Sequence, residues 1–225
     1  MQDLAWTFAR IAIGVAALAL TLSAPSFAAT EPGHVQFEVM REGHLFGRQG
    51  VTVSMRNGEL VAETSATLNA ALGPVTLFSY TQRCSESWRD GALTSLQCAT
   101  RQNGHAKSVQ GRLADGSLRM NGTAGSIVFS PGTLPTSWWT RPPLSTREMI
   151  NSETGARLPV RVTMIGRETI VANGARIQAD HIRVQGTLAV DLWYDDDGHW
   201  VGCAFTASGQ RMTYRLLTSP SAAPS

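Results

Sequence analysis

Three cysteines, Cys84, Cys98 and Cys203, carry the most reactive side chains of this chain. Cys84 and Cys98 flank a hairpin at Asp90-Gly91-Ala92. A three-residue loop there would pair Arg89 with Leu93, Trp88 with Thr94 and Cys84 with Cys98. Directly opposed cysteines on neighbouring strands reach disulfide distance, so this register predicts a Cys84–Cys98 disulfide. A two-residue loop would move the two apart. Cys203 falls among Leu192, Phe205 and Tyr214 on an apolar face. A reactive thiolate needs a basic or helix-terminal setting, so Cys203 reads as a free core thiol.

The other chemistry-bearing residues form no legible catalytic or metal set. His34, His44, His105, His181 and His199 are dispersed, and no pair has the spacing of zinc ligands. Asp195-Asp196-Asp197-Gly198 places its acids consecutively and lacks the terminal Glu of a calcium loop, so it reads as a solvated turn. No nucleophile elbow, phosphate loop or dinucleotide fingerprint occurs. The expectation is no catalytic residue, no cofactor and no metal; whether the chain is an enzyme stays open, with a non-enzyme favoured. Trp138-Trp139 stands out instead. It lies between Pro135 and Pro142-Pro143, outside any regular alternation. Adjacent residues of an extended chain cannot both point into a core. The pair therefore reads either as a plug closing one end of a β core or as a ligand platform, an apolar body with a polar N–H.

Composition narrows the function classes. The formal charge is +2, and Lys107 is the only lysine among nineteen basic residues. The arginines are scattered over alternating positions rather than clustered, so the electrostatic footprint of a nucleic-acid binder is missing. An apolar run, Ile11 to Leu22, follows Arg10 and ends before Ser26-Phe27-Ala28. That is the layout of a signal peptide over residues 1–28, cleaved after Ala28. The run is short for a membrane span and no second one follows. Export to the periplasm, with no transmembrane segment after cleavage, is the expectation.

The rest of the chain must build what positions these residues. Turn dipeptides recur at Glu42-Gly43, Asn57-Gly58, Asp90-Gly91, Asn103-Gly104, Asp115-Gly116, Asn121-Gly122, Asn173-Gly174, Asp197-Gly198 and Ser208-Gly209. Asn-Gly and Asp-Gly supply the positive φ angles of tight hairpins. Between them the chain alternates: Val35, Phe37 and Val39 on one face; Val51, Val53 and Met55; Val160, Val162 and Met164. Ile182, Val184, Gly186, Leu188, Val190, Leu192 and Tyr194 share one parity, which reads as a single long strand over 179–195 bent at Gly186. Turns at Asp197-Gly198 and Ser208-Gly209 would set Tyr194 opposite Val201, Leu192 opposite Cys203, Val190 opposite Phe205, Phe205 opposite Met212, Cys203 opposite Tyr214 and Val201 opposite Leu216. Ser145-Thr146-Arg147-Glu148 has capping-box spacing and predicts one short helix near 145–151. The fold class is thus all-β: an antiparallel meander forming a strongly curved sheet or open barrel, with a β-sandwich as the alternative. The domains are a signal peptide at 1–28, one β domain at 29–218 whose strand sets 34–130 and 155–217 are joined by a Trp/Pro-rich crossover, and a disordered Ser/Pro/Ala tail at 219–225.

Two motifs carry a resemblance. One is Glu86-x-Trp88-x-x-Gly91-x-Leu93; the other is Asp191-Leu192-Trp193-Tyr194-Asp195-x-x-Gly198-x-Trp200-Val201, followed by Gly209 and Tyr214. Together with the Trp-rich middle and Thr154-Gly155 they resemble a family of exported proteobacterial proteins, a domain of unknown function, over nearly all the mature chain. That resemblance implies export and assigns no activity or site. Similar exported β proteins include open, curved sheets that cradle lipid or lipoprotein acyl chains. The leading expectation is a periplasmic protein that binds or carries an apolar or amphipathic ligand such as a lipid. A structural or accessory envelope protein without ligand comes second, and a hydrolase assembled only by the fold comes third. An unfilled apolar cavity, a packed core, or a cleft joining a His to an acid or Ser would discriminate the three.

Overall fold

The computed structural model describes residues 33–72, 75–187 and 189–221. Residues 1–32, including the expected signal peptide, lie outside the described residues. Strands run β1 (Gly33–Arg41), β2 (His44–Arg56), β3 (Glu59–Leu72), β4 (Val75–Arg89), β5 (Ala92–Gln102), β6 (His105–Ala114), β7 (Ser117–Gly122) and β8 (Gly125–Phe129). The crossover contributes β9 (Leu134–Pro135), β10 (Glu148–Ile150) and β11 (Arg157–Pro159). The second set is β12 (Arg161–Ala172), β13 (Ala175–Gln185), β14 (Ala189–Tyr194), β15 (Trp200–Ala207) and β16 (Gln210–Ser221).

The fold is all-β. Both strand sets enter one 13-stranded antiparallel sheet, ordered β12-β13-β14-β15-β16-β1-β2-β3-β4-β5-β6-β7-β8. The join is β1 on β16, where Phe37 faces Leu216 and Val39 faces Tyr214. Seven of the hairpins follow from their turns: Glu42, Asn57, Asp90, Asn103, Asp115, Asn173 and Ser208 take φ near +50°, each followed by a glycine with positive φ. Asn121-Gly122 is not a turn. Gly122 stays in β7 because the crossover passes against it, and a Cβ there would lie 2.3 Å from the Thr154 carbonyl oxygen. Inward alternation buries Val35, Phe37, Val51, Val53, Leu96, Cys98, Ile182, Val184, Val190 and Leu192 in one core. Met55 and Met164 share the expected parity but are exposed. A register shift between Met164 and Gly166 marks where β12 breaks its alternation.

Four expectations are corrected. No helix forms near 145–151; Met149 and Ile150 are both buried, and β10 pairs antiparallel with β11 and parallel with β9. Glu148, whose N–H a capping box would serve, sits instead in the sheet opposite Pro159, and Thr146 N–H donates to Pro143 O in a turn. The single strand over 179–195 is instead the hairpin β13–β14, with Gln185 opposite Ala189 and Ile182 opposite Leu192. A connection of three residues pairs positions of like parity, so alternation alone cannot tell it from a continuous strand; Leu188 lies outside the described residues. The turn at Asp90-Gly91 has two residues, pairing Arg89 with Ala92 and Trp88 with Leu93 rather than Thr94. A bulge then absorbs Thr94, whose hydroxyl donates to Ser87 O at 3.0 Å, and this returns Cys84 to a position opposite Cys98. Finally, Tyr194 faces Trp200, not Val201, through a register shift after Trp193. Four pairings stand as expected: Leu192 with Cys203, Val190 with Phe205, Phe205 with Met212 and Cys203 with Tyr214; the β15–β16 register stops at Cys203 and Tyr214, so the expected Val201–Leu216 pair does not form part of it. Strand β16 also reaches Ser221, three residues into the Ser/Pro/Ala tail; residues 222–225 lie outside the described residues.

Candidate functional site

The crossover 130–160 packs against the inner face of the sheet, and the Trp pair is where the two meet. Trp138 has φ +64°, a left-handed backbone that costs a bulky residue about 1–3 kcal/mol. The kink resolves the conflict between adjacent indoles. Trp139 turns into the core and is 4% exposed. Trp138 is half-buried and lines a cavity.

Each Trp is held by a different wall, Trp139 through its indole and Trp138 through its backbone carbonyl. Glu86, on β4, is fully buried. Its Oε2 accepts from Trp139 Nε1 at 2.9 Å and from Trp88 Nε1 at 3.0 Å. Trp88 and Trp139 meet edge to face, with centroids 5.5 Å apart and planes at 88°. Burial pushes the Glu86 carboxyl up to about 7, while Trp139, Ser137 and Trp88 each pull it back down. Glu86 Oε1 and Ser137 Oγ are buried without a hydrogen bond of ordinary geometry. On the opposite wall, the fully buried Tyr194 of β14 donates its hydroxyl to Trp138 O at 2.8 Å. Arg141 adds an ion pair to Asp180 at 2.8 Å. The two sequence motifs therefore converge on one place: Glu86 and Trp88 anchor Trp139, and Tyr194 anchors Trp138.

The cavity behind Trp138 has a volume of about 680 Å³, within the range of small-molecule sites. Its walls come from β1 to β5 and from β13 to β16, so the sheet curls far enough for β5 and β13 to face the same space. Phe46, Phe78, Leu158, Val160, Phe205 and Met212 give apolar surface; Gln49, Tyr80, Gln82, Gln102 and Tyr214 give hydrogen-bonding groups. Phe46 and Phe78 stack with centroids 5.3 Å apart. Tyr80 donates to Glu153 at 2.9 Å, and Lys107 donates to the same carboxylate at 3.1 Å, tying β4 and β6 to the crossover. Burial first, then Glu153, pushes the Tyr80 hydroxyl pKa up, so it remains a donor.

A family model described as a domain of unknown function, DUF6134, matches residues 37–217. The chain belongs to the DUF6134 family. Among solved structures, the DUF6134 chain is similar to a β-barrel-like protein of the domain of unknown function DUF1849 from Brucella abortus. The TM-score is 0.59 at 8% identity, covering 82% of this chain and 95% of that one; at that identity the likeness concerns the fold. None of the curated proteins matches the sequence.

The remaining residues singled out by sequence fall into place around the DUF6134 sheet. Cys84 and Cys98 are joined, their sulfurs 2.09 Å apart, and Cys203 is a buried free thiol. Burial, then the charge of Asp191, pushes its pKa up, away from thiolate chemistry. Asp191 and Trp193 alternate outward from Leu192 and Tyr194. There His181 Nε2 lies 2.9 Å from Asp191 Oδ1, its Nδ1 meets Glu168, and Arg183 Nε donates to Asp191 at 2.7 Å. Burial raises the Asp191 pKa, but hydrogen bonds from Arg183 and His181 outweigh it and hold the carboxyl below its usual range. Trp193 stacks on His181 at 4.5 Å. This cluster lies on the outer face, and among the described residues no Ser hydroxyl hydrogen-bonds to His181, so it forms no nucleophile–base pair. Asp195, Asp197 and His199 bring three ligand-type atoms within 4.8 Å of one another. Asp195 Oδ1 accepts from both the Asp197 and the His199 backbone N–H groups. Sequence reasoning missed the roles of Tyr80, Glu86, Glu153 and Tyr194. A lone Glu between serines in a strand whose alternate residues point inward was the one available signal.

Proposed function

We propose that this DUF6134 protein is an exported, periplasmic binding or carrier protein for an amphipathic, lipid-like molecule held in the cavity under the crossover. The observation that carries the reading is the pairing of that cavity with Trp138, which is held in an unfavourable backbone conformation with its ring on the cavity wall. Strain of this kind persists where surrounding contacts enforce it; here Tyr194 and the Glu86–Trp139 anchor do so. Mixed walls, apolar with convergent amide and phenol groups, suit a ligand with a chain and a polar head. The signal-like first 28 residues support export, and the bonded Cys84–Cys98 pair fits an oxidising compartment.

The test is Trp fluorescence of the mature protein during titration with fatty-acyl ligands. Five of the six Trp residues remain in the mature protein, since Trp6 leaves with residues 1–28, so Trp138→Phe identifies the responding ring. Trp138→Ala should weaken binding by about 1–3 kcal/mol, the scale of one large apolar side chain. An unaltered affinity in Trp138→Ala would remove the residue-level support for the reading.

A further inference from the structure

The cavity lining carries two charges among the described residues, and they are not equivalent. Glu153 is already engaged: Tyr80 donates to one of its oxygens and Lys107 to the other. Arg41, at the end of β1, belongs to no ion pair among the described residues. Its guanidinium lies over the Phe46 ring at 5.3 Å, and Phe46 in turn stacks on Phe78. The neighbouring Glu42 carboxylate accepts from the Arg211 backbone N–H on β16. Among the described residues, the result is one unpaired, planar cation at the edge of an aromatic wall, facing a cavity whose single carboxylate is neutralised.

A guanidinium in that setting matches an oxyanion by charge-assisted, bidentate hydrogen bonds, with the aromatic wall beside it lowering the competing hydration. We infer that the ligand is an anionic amphiphile, with a carboxylate or phosphate head on Arg41 and an apolar chain along Phe46, Phe78, Phe205 and Met212. This rests on the carrier reading and adds the head-group class to it.

The experiment is calorimetric titration of the mature, disulfide-intact protein with dodecanoate, dodecyl phosphate, dodecanol and inorganic phosphate. The expected result is that at least one of the two anionic amphiphiles binds about tenfold more tightly than dodecanol, one charge-assisted contact's worth. Arg41→Gln should remove that preference while leaving dodecanol affinity unchanged, and Arg41→Lys should retain most of it. Arg41 is half-exposed, and an unchanged thermal transition would verify that both variants fold. Equal binding of dodecanol and the anionic probes, or a preference that survives Arg41→Gln, overturns the head-group assignment and leaves the carrier reading standing. Inorganic phosphate binding as tightly as dodecyl phosphate, and in an Arg41-dependent way, also overturns it, because the site would then recognise a bare anion. If no amphiphile binds, both fall.

Discussion

Glu86→Gln should abolish a pH-dependent term in the stability of this protein. Glu86 is fully buried, and its carboxyl pKa is pushed from 4.5 up to about 7 by burial, against the pull of Trp139, Ser137 and Trp88. Below pH 4.5 the group is neutral in both folded and unfolded chains and costs nothing. Between 4.5 and about 7 the unfolded chain ionises while the folded one keeps its proton, so stability falls as pH rises. Above about 7 both are ionised, and the fold carries the whole penalty. A shift of this size corresponds to about 3 kcal/mol. Glutamine keeps a carbonyl for the Trp88 and Trp139 indole N–H groups but cannot ionise. The assay is urea unfolding of the disulfide-intact protein at several pH values from 4.5 to 8. Wild type and variant should agree closely at pH 4.5, and the variant should be more stable by about 3 kcal/mol at pH 8. Titrations elsewhere, such as that of Asp191, are common to both and cancel in the difference. Parallel stability curves would show that Glu86 does not sit uncompensated behind the crossover, and the anchor described for Trp139 would then be wrong.

Other outcomes follow from the same geometry. Thiol alkylation under denaturing conditions should count one thiol before reduction and three after, because Cys84 and Cys98 are bonded and Cys203 is free; three in both states would exclude the bond. Cys203→Asp should destabilise by several kcal/mol, since it buries a carboxylate among Leu192, Phe205 and Tyr214, whereas His199→Asp beside its turn should cost far less; similar thermal transitions for the two would contradict the β14–β15–β16 register. Gly122→Ala should displace the crossover, because its Cβ would lie 2.3 Å from the Thr154 carbonyl oxygen; a large drop in thermal stability is expected, and an unchanged transition would place the crossover elsewhere.

Much of the fold was legible because hairpin chemistry is local. Seven of the turn dipeptides take the positive φ pair that their residues favour, and the alternation between them sets which face is buried. Two of the failures are places where a longer-range contact overrode a local signal. Gly122 looked like a turn and is a point of close approach to the crossover. Ser145 to Glu148 looked like a helix start and is drawn into pairing with β9 and β11. The bulge at Thr94 hid the true turn length yet restored the cysteine register. At the candidate site, Trp138 and Trp139 could be singled out because they break alternation, but their partners could not. Glu86 and Tyr194 lie more than fifty residues from them in sequence, and only the curling of the sheet brings the two walls together.

The measurement that tests the carrier reading most directly is native mass spectrometry of the protein purified from the envelope of the organism that makes it. The expected result is a mature chain beginning at Ala29, carrying one additional non-covalent mass in the lipid range that organic extraction removes, with the additional mass depleted in Trp138→Ala. A fully folded chain that shows only its own mass, and that gains none after incubation with anionic amphiphiles, would contradict the reading and leave the cavity as a structural feature of an envelope protein.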